Sequence, residues 1–284
     1  MGKIVTPRET IGILGGGQLG RMSAQAAQKL GYQVKIFDPS SYVCASEVAQ
    51  ETITAPWDDF SALKKFATGC SRVTVEFENI PPSTLEFVNK ITPCYPSAQV
   101  LEICQNRQKE KEFLKENKIP CAPFRIINTI DELKIAVREL GTPCVLKTAV
   151  FGYDGKGQIK ITDEKQDLEA AWSITGGGRG VLEAWISHTC EISVIVMSSE
   201  SGEIKVYEPT ENIHKDHILY LSISPARIEE KITAQAKRIA QQIAQKIKLT
   251  GIGTKYNTSD QSFKNNKAKL NLIPDDIVKQ HSIF

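Results

Sequence analysis

The chain has 284 residues and a formal net charge of +2, and 41% of its residues are hydrophobic and 24% charged. These values are typical of a globular protein of about two domains. The near-neutral charge argues against a dedicated binder of nucleic acid or acidic membranes, which needs a strong basic excess. No apolar run reaches roughly 18 residues and the N-terminus lacks an apolar core, so neither a transmembrane helix nor a signal peptide is expected.

The seven cysteines are scattered along the chain, and none belongs to a CxxC pair. Without an export signal, this pattern predicts reduced thiols that fill core positions, rather than disulfides or metal ligands. We therefore expect a cytoplasmic protein.

Short β-rich runs alternate with helical stretches through the first hundred residues. The predicted strands are residues 10–14, 33–37 and 72–77, and the predicted helices are residues 18–30 and 61–66. Strands that alternate with helices are typical of βαβ units with a parallel sheet. The sequence predicts a Rossmann-like domain over residues 1–104.

Two further units and a tail are expected after this domain. A helix at 105–117 leads into a small α+β module that ends near residue 182, with strands at 122–127, 143–148 and 158–162 and a helix at 131–140. A third unit, 183–251, has predicted strands at 181–187, 191–197 and 203–209 and an amphipathic helix at 231–249. Residues 254–269 are polar and show no sustained period, so no firm structure is expected there.

A glycine-rich turn follows the first predicted strand. Residues 15–20 read Gly-Gly-Gly-Gln-Leu-Gly, a G-x-G-x-x-G pattern between a strand and a helix, and Asp38 follows the second strand. Glycines let the backbone approach a ligand and a helix N-terminus favours an anion, so this pattern alone is compatible with a dinucleotide site. A tight strand–turn–helix joint that binds nothing is the alternative interpretation.

A second glycine-rich segment, Gly-Tyr-Asp-Gly-Lys-Gly-Gln at 152–158, follows the strand that carries Lys147. A glycine-rich hairpin can cover a triphosphate with backbone N–H groups, and a neighbouring lysine can neutralise its charge. An ordinary Asp-Gly hairpin is the alternative.

Farther along, Glu191 lies eight residues after Glu183. An extended segment there could bind an adenine edge and a carboxylate could bind ribose hydroxyls, although two surface acids on a strand pair would look the same.

In this order the motifs resemble carboxyaminoimidazole ribonucleotide synthetases, which are ATP-grasp ligases. The segments that carry the resemblance are residues 11–22, 74–80, 105–107, 152–158, 211–214 and 224–226. The similarity runs continuously from about residue 9 to residue 250. It implies an α/β ATP-grasp fold with a Rossmann-like pre-ATP-grasp parallel-sheet domain, a small α+β lid and an incomplete C-terminal α+β domain. In such ligases the first glycine loop does not imply NAD.

The resemblance also implies a role for individual residues. Arg107 and Lys147 would contact ATP phosphates, and residues 152–158 would cover them. Glu183, Ala184, Trp185 and Ile186 would hold adenine, Glu191 would bind the ribose, and His214 would lie on the nucleotide side of the cleft. The residues expected to face the reacting centre are Glu76, Tyr153, Asp154 and Lys156. The rest of the phosphate loop consists of Gly152, Gly155, Gly157 and Gln158.

The implied reaction is a ligation. Bicarbonate would attack the γ-phosphorus of ATP, and the resulting carboxyphosphate, or carbon dioxide released from it, would be captured by the amine of 5-aminoimidazole ribonucleotide. Cations shield the phosphate charge, and a closing lid excludes water. The resemblance further implies Mg²⁺ as a cofactor and a homodimer.

From Thr254 to Phe284 the sequence matches nothing in the family, so we expect a C-terminally truncated or frameshifted chain with a non-family tail over residues 252–284. The family's metal-binding acids are not found, no metal ligand is assigned here, and weak or no activity is expected for this chain alone. An inactive nucleotide-binding remnant, a different ATP-grasp ligase and an NAD-binding oxidoreductase remain as alternatives.

Overall fold

A computed structural model describes residues 4–149, 157–215, 218–259 and 268–271, which form three β-sheets. The first sheet is parallel and has the strand order β3-β2-β1-β4-β5. Its strands are β1 (Thr10–Leu14), β2 (Gln33–Asp38), β3 (Glu51–Thr54), β4 (Cys70–Val75) and β5 (Cys94–Tyr95), with helices α1 (Gln18–Lys29), α2 (Phe60–Ala67) and α3 (Pro82–Asn89). The predicted Rossmann-like parallel sheet is confirmed.

Helix α2 shows why this domain folds as its sequence predicts. Asp59 caps the helix by accepting a hydrogen bond from the backbone N–H of Ala62 at 2.9 Å. Leu63 and Phe66 follow at helical spacing, and both are fully buried. Phe66 packs edge to face on Phe37 of β2, with ring centroids 5.6 Å apart. The helix therefore covers the sheet through one apolar stripe.

Two helices connect the first sheet to the second. These are α4 (Ala98–Gln105) and α5 (Arg107–Glu116). We predicted a single helix at 105–117, and α4 and α3 were not predicted. Asn106 separates α4 from α5, because its side chain accepts from the backbone N–H of Lys109 and so caps α5.

The second sheet is antiparallel, with the order β6-β9-β7-β8, and corresponds to the predicted lid. Its elements are β6 (Phe124–Ile127), α6 (Ile130–Leu140), β7 (Cys144–Thr148), β8 (Gln158–Ile161), α7 (Leu168–Ser173) and β9 (Gly180–Ala184). One face packs on α6 and α7 through a core that includes Leu133, Val137, Leu146 and Leu182. The predicted boundary at 182–183 falls inside β9.

The third sheet has the order β13-β12-β10-β14-β15, with β11 paired to β10. Its elements are β10 (Cys190–Ser198), β11 (Ile204–Val206), β12 (Thr210–Lys215), β13 (Ile218–Ile223), α8 (Glu230–Lys246), β14 (Gly251–Ser259) and β15 (Ala268–Asn271). The stripe of α8 that includes Ala236 and Ala240 packs on Ile192 and Val194 of β10. The other face of β10 carries Glu191.

The expectation that residues 254–269 lack firm structure is wrong for residues 254–259 and 268–269, and residues 260–267 lie outside the described part of the chain. Strand β14 runs to Ser259 and pairs with β10 along its whole length, and β15 pairs with β14. The polar sequence has no apolar period, but a strand held by backbone hydrogen bonds to a neighbour needs none. Among the described residues, no helix is long and apolar enough to cross a membrane.

The cysteines provide a direct test of the core. All seven thiols are free, and Cys70, Cys94 and Cys144 are buried. Burial raises the pKa of Cys70 and Cys144 to about 11 and that of Cys94 to about 12. Since the thiolate is the reactive form, we expect these three to react with a thiol reagent only in denaturant. Mass mapping of alkylated peptides in native and unfolded protein measures this, and rapid native labelling of Cys94 would contradict the packing.

Candidate functional site

The glycine-rich loop after β1 is closed by two acidic side chains of the protein. The backbone N–H of Gly16 donates to Asp38 Oδ2 at 2.8 Å, and that of Gly17 donates to Glu76 Oε2 at 2.6 Å. Asp38 ends β2 and Glu76 follows β4, and both strands lie beside β1, so the parallel sheet brings all three strand ends to one edge. A Cβ on Gly15 would lie 2.7 Å from Glu76 Oε2, and its φ is +102°. Only glycine fits there.

Glu76 supplies a hydrogen-bond acceptor at the N-terminus of α1. The helix has no side-chain cap of its own, and the Glu76 carboxylate accepts from the backbone N–H of Gly17 and lies near those of Leu19 and Gly20. Burial raises the pKa of Glu76, and this outweighs the hydrogen bonds, which lower it. Compared with the unfolded chain, the folded chain therefore binds a proton at Glu76 more tightly. The free energy of unfolding should fall as the pH rises from 4.5 through the raised pKa of Glu76. Because protein side chains already accept from the N–H groups of this loop, the geometry argues against the NAD-binding alternative.

Arg107 joins the start of α5 to the end of β7. Its backbone N–H donates to the carbonyl of Ala149, and its Nη1 donates to the carbonyl of Thr148, both at 2.8 Å. The predicted phosphate ligand Lys147 directly precedes Thr148. The structure thus brings Arg107 and Lys147 to the same end of one strand, immediately before the glycine-rich segment 152–158.

Lys147 lies on the face of the lid sheet opposite the helices, next to Glu183. Lys147 Nζ is 3.1 Å from Glu183 Oε1, and the buried Lys111 of α5 donates to Glu183 Oε2 at 3.0 Å. Burial lowers the pKa of Lys111, but the attraction of Glu183 and Glu110 and the hydrogen bond to Glu183 together outweigh it, so the pKa is raised and the ammonium stays charged. One carboxylate is therefore shared by two lysines from different elements.

The predicted adenine segment begins in β9 and continues into the connection to β10. Glu183 and Ala184 end β9, and Trp185 and Ile186 follow it. The backbone N–H of Trp185 donates to the carbonyl of Pro143 at 3.1 Å. Lys160 Nζ lies 3.6 Å from the Trp185 ring centroid. The segment thus joins the lid sheet to the third sheet, with an aromatic ring exposed beside it.

The third sheet brings together a second group of predicted residues. Glu191 of β10 lies opposite Asn212 of β12, and His214 Nδ1 is 3.8 Å from Glu191 Oε2. Asn212 is buried and its Oδ1 accepts from Ser222 Oγ at 3.0 Å, while its Nδ2 finds no hydrogen-bond partner among the residues that the structure describes. A buried donor without a partner is costly, so Asn212 is suited to donate to a ligand on this face.

Some predicted residues lie outside this arrangement or outside the described part of the chain. Gly157 and Gln158 lie at the start of β8, where the Gly157 carbonyl accepts from the N–H of Thr148 at 2.8 Å. The predicted loop residues outside the described ranges are Gly152, Tyr153, Asp154, Gly155 and Lys156.

Lys111 and Asn212 were not predicted as site residues. Lys111 lies in a run of charged residues that is typical of a solvated helix face, yet Leu114, three residues later, is fully buried. Residues three apart share a helix face, so this spacing was the sequence signal that Lys111 lies on the buried face of α5.

The described residues do not supply a magnesium site. Among them, no group of three or more His, Cys, Asp or Glu side chains is placed to hold a metal ion. Because Mg²⁺ requires oxygen ligands such as carboxylates, no step is assigned to a metal on these residues.

Comparisons with known proteins agree with this arrangement. Residues 8–105 match the ribonucleotide synthetase preATP-grasp domain and residues 112–255 match the ATP-grasp domain. The N5-carboxyaminoimidazole ribonucleotide synthase of Bacillus subtilis is 41% identical over 88% of this chain and 65% of its own length. The chain thus spans just under two thirds of the length of that relative.

Solved structures are similar over nearly the whole chain. The N5-carboxyaminoimidazole synthetase of Staphylococcus aureus, solved with ADP, is 35% identical with a TM-score of 0.86, covering 95% of this chain and 71% of its own. The N5-carboxyaminoimidazole synthase of Aspergillus clavatus, solved with ADP and 5-aminoimidazole ribonucleotide, is 26% identical with a TM-score of 0.82, covering 94% and 69%. The two family domains are matched one after the other along the chain, and the Staphylococcus aureus relative is 35% identical and covered to 71%. The chain therefore belongs to the N5-carboxyaminoimidazole ribonucleotide synthase family and has the ATP-grasp fold.

Proposed function

We propose that this chain provides the nucleotide-binding part of an ATP-dependent carbon–nitrogen ligase that carboxylates 5-aminoimidazole ribonucleotide with bicarbonate. The observation that carries the proposal is the cationic end of β7. Lys147 lies there with its ammonium on the helix-free face, and Arg107 is tied to the next carbonyl. Cations at this position shield the phosphate groups of a nucleotide. The relatives solved with ADP support the same ligand.

The remaining predicted residues receive roles in the same proposal. Residues 183–186 hold adenine, Glu191 binds the ribose hydroxyls, and His214, 3.8 Å from Glu191, orients that carboxylate. The segment 152–158, with Tyr153, Asp154 and Lys156, closes over the phosphates and excludes water from a short-lived carboxyphosphate. Glu76 stays a predicted catalytic residue near the amine. The Glu76 carboxylate accepts from the backbone N–H of Gly17, the residue before α1, so it acts from a fixed position.

Three finer statements belong to the proposal as well. Mg²⁺ accompanies ATP and shields the β- and γ-phosphates when bound. The enzyme works in the cytoplasm, because its substrates are phosphorylated metabolites. It forms a homodimer, which rests on the resemblance alone.

ADP release tests the proposal. Purified chain is incubated with ATP, Mg²⁺ and bicarbonate, with and without 5-aminoimidazole ribonucleotide, and ADP is quantified by chromatography. ADP binding is the expected result, with at most weak ADP release that 5-aminoimidazole ribonucleotide stimulates and that places ¹³C from bicarbonate in the product. Robust release would show that this chain alone is catalytically competent. Stimulation by formate instead would indicate a different ATP-grasp ligase. ADP binding without turnover would favour the nucleotide-binding remnant, and absence of both would overturn the proposal.

A further inference from the structure

Lys111 has an unusual environment for a lysine. It lies on α5 in a charged stretch, yet only 1% of its surface is exposed. Lysines are almost never fully buried unless they are paired. Its Nζ donates to Glu183 Oε2 at 3.0 Å, and Lys147 contacts the other oxygen of the same carboxylate at 3.1 Å. We name these three residues the lysine–glutamate–lysine triad.

The triad carries a net charge that neither pair would have alone. Two ammonium groups and one carboxylate give these three side chains one net positive charge, and all three are at most 14% exposed. The buried Glu110 of α5 also attracts Lys111, and the loss of Lys111 removes one positive charge from the whole group. With Lys147 and Glu183 alone, the net charge would be zero. Buried charges are screened far less than surface charges, so this difference acts on any anion that binds nearby.

We propose that Lys111 is a positioning residue that sets the affinity for nucleotide phosphates without touching them. It neutralises Glu183, so the positive charge of Lys147 is available to the phosphates instead of being cancelled. It also ties the connecting helix α5 to β9, whose end begins the predicted adenine segment. This inference rests on the proposed function, because it needs a nucleotide on Lys147.

Charge variants of the triad separate this role from a merely structural one. Lys111→Met removes one positive charge from beside Glu183, whereas Lys111→Arg keeps that charge. We expect Lys111→Met to weaken ADP binding about tenfold, and more at low salt than at high salt, because the lost interaction is electrostatic. Lys111→Arg should bind ADP within about threefold of the original chain.

Titration calorimetry with ADP at two salt concentrations measures this, alongside thermal unfolding of every variant. Lys115→Met on the exposed side of α5 is the matched control and should bind like the original chain. If the original chain does not bind ADP, the proposed function fails. If it binds and Lys111→Met binds ADP normally, or loses the same affinity at both salt concentrations, the positioning role is overturned. Should Lys111→Met not fold, Lys111→Gln decides the matter in the same way, because it removes the charge and keeps an N–H donor for Glu183.

Discussion

Replacing Glu76 with alanine is expected to lower the free energy of unfolding by about 2–3 kcal/mol. The variant removes the acceptor for the Gly17 N–H, which lies 2.6 Å from the carboxylate, and leaves the start of α1 uncapped. It also opens space beside Gly15, where the side chain is in close contact. Urea unfolding followed by circular dichroism measures the loss.

Two variants define what that loss means. Glu76→Gln keeps the shape and one acceptor oxygen, and should lose less stability than the alanine variant. Glu86→Ala removes an exposed acid on α3 and should change stability little. If Glu76→Ala were as stable as Glu86→Ala, the carboxylate would not cap α1.

Replacing Lys147 with methionine is expected to weaken ADP binding by about 10- to 150-fold, since charge-assisted hydrogen bonds contribute about 1.5–3 kcal/mol. The methionine keeps much of the length of the side chain but removes the only charge it can offer to a phosphate. Glu183 keeps its hydrogen bond to Lys111 in this variant, so the fold should persist. Titration calorimetry with ADP measures the affinity.

Lys134→Met is the matched control for charge removal within the lid. Lys134 lies on α6 and pairs with Glu169 at 2.8 Å on the surface. It should bind ADP like the original chain, because an exposed ion pair contributes little and lies on the helix side of the sheet. Equal ADP affinity for Lys147→Met and Lys134→Met would remove Lys147 from the phosphate site.

The first domain could be predicted well from its sequence. β1 has the predicted bounds, and β2 and α1 differ from prediction by one residue. These elements are defined by local patterns, with an apolar run before a glycine turn and a helical period after it. The parallel order followed from the alternation of strands and helices.

The third sheet was harder to predict. β12 and β13 were not recognised, and β14 from residue 254 onward and β15 were expected to lack firm structure. β14 is held by backbone hydrogen bonds to β10, which lies more than fifty residues earlier in the chain. Pairing between segments so far apart is not encoded in local composition, so a polar strand looks like a loop.

The sequence by itself determined the order of the domains, the glycine-rich turns and, through resemblance, the residues proposed to bind nucleotide. Tertiary structure alone decided which charges meet. Glu76 faces the backbone of α1, and Glu183 is shared between Lys147 and Lys111. Lys111 and Glu183 are 72 residues apart in the chain. Their pairing depends on how α5 packs against the lid sheet, and a charged side chain becomes a buried partner only when two elements close over it.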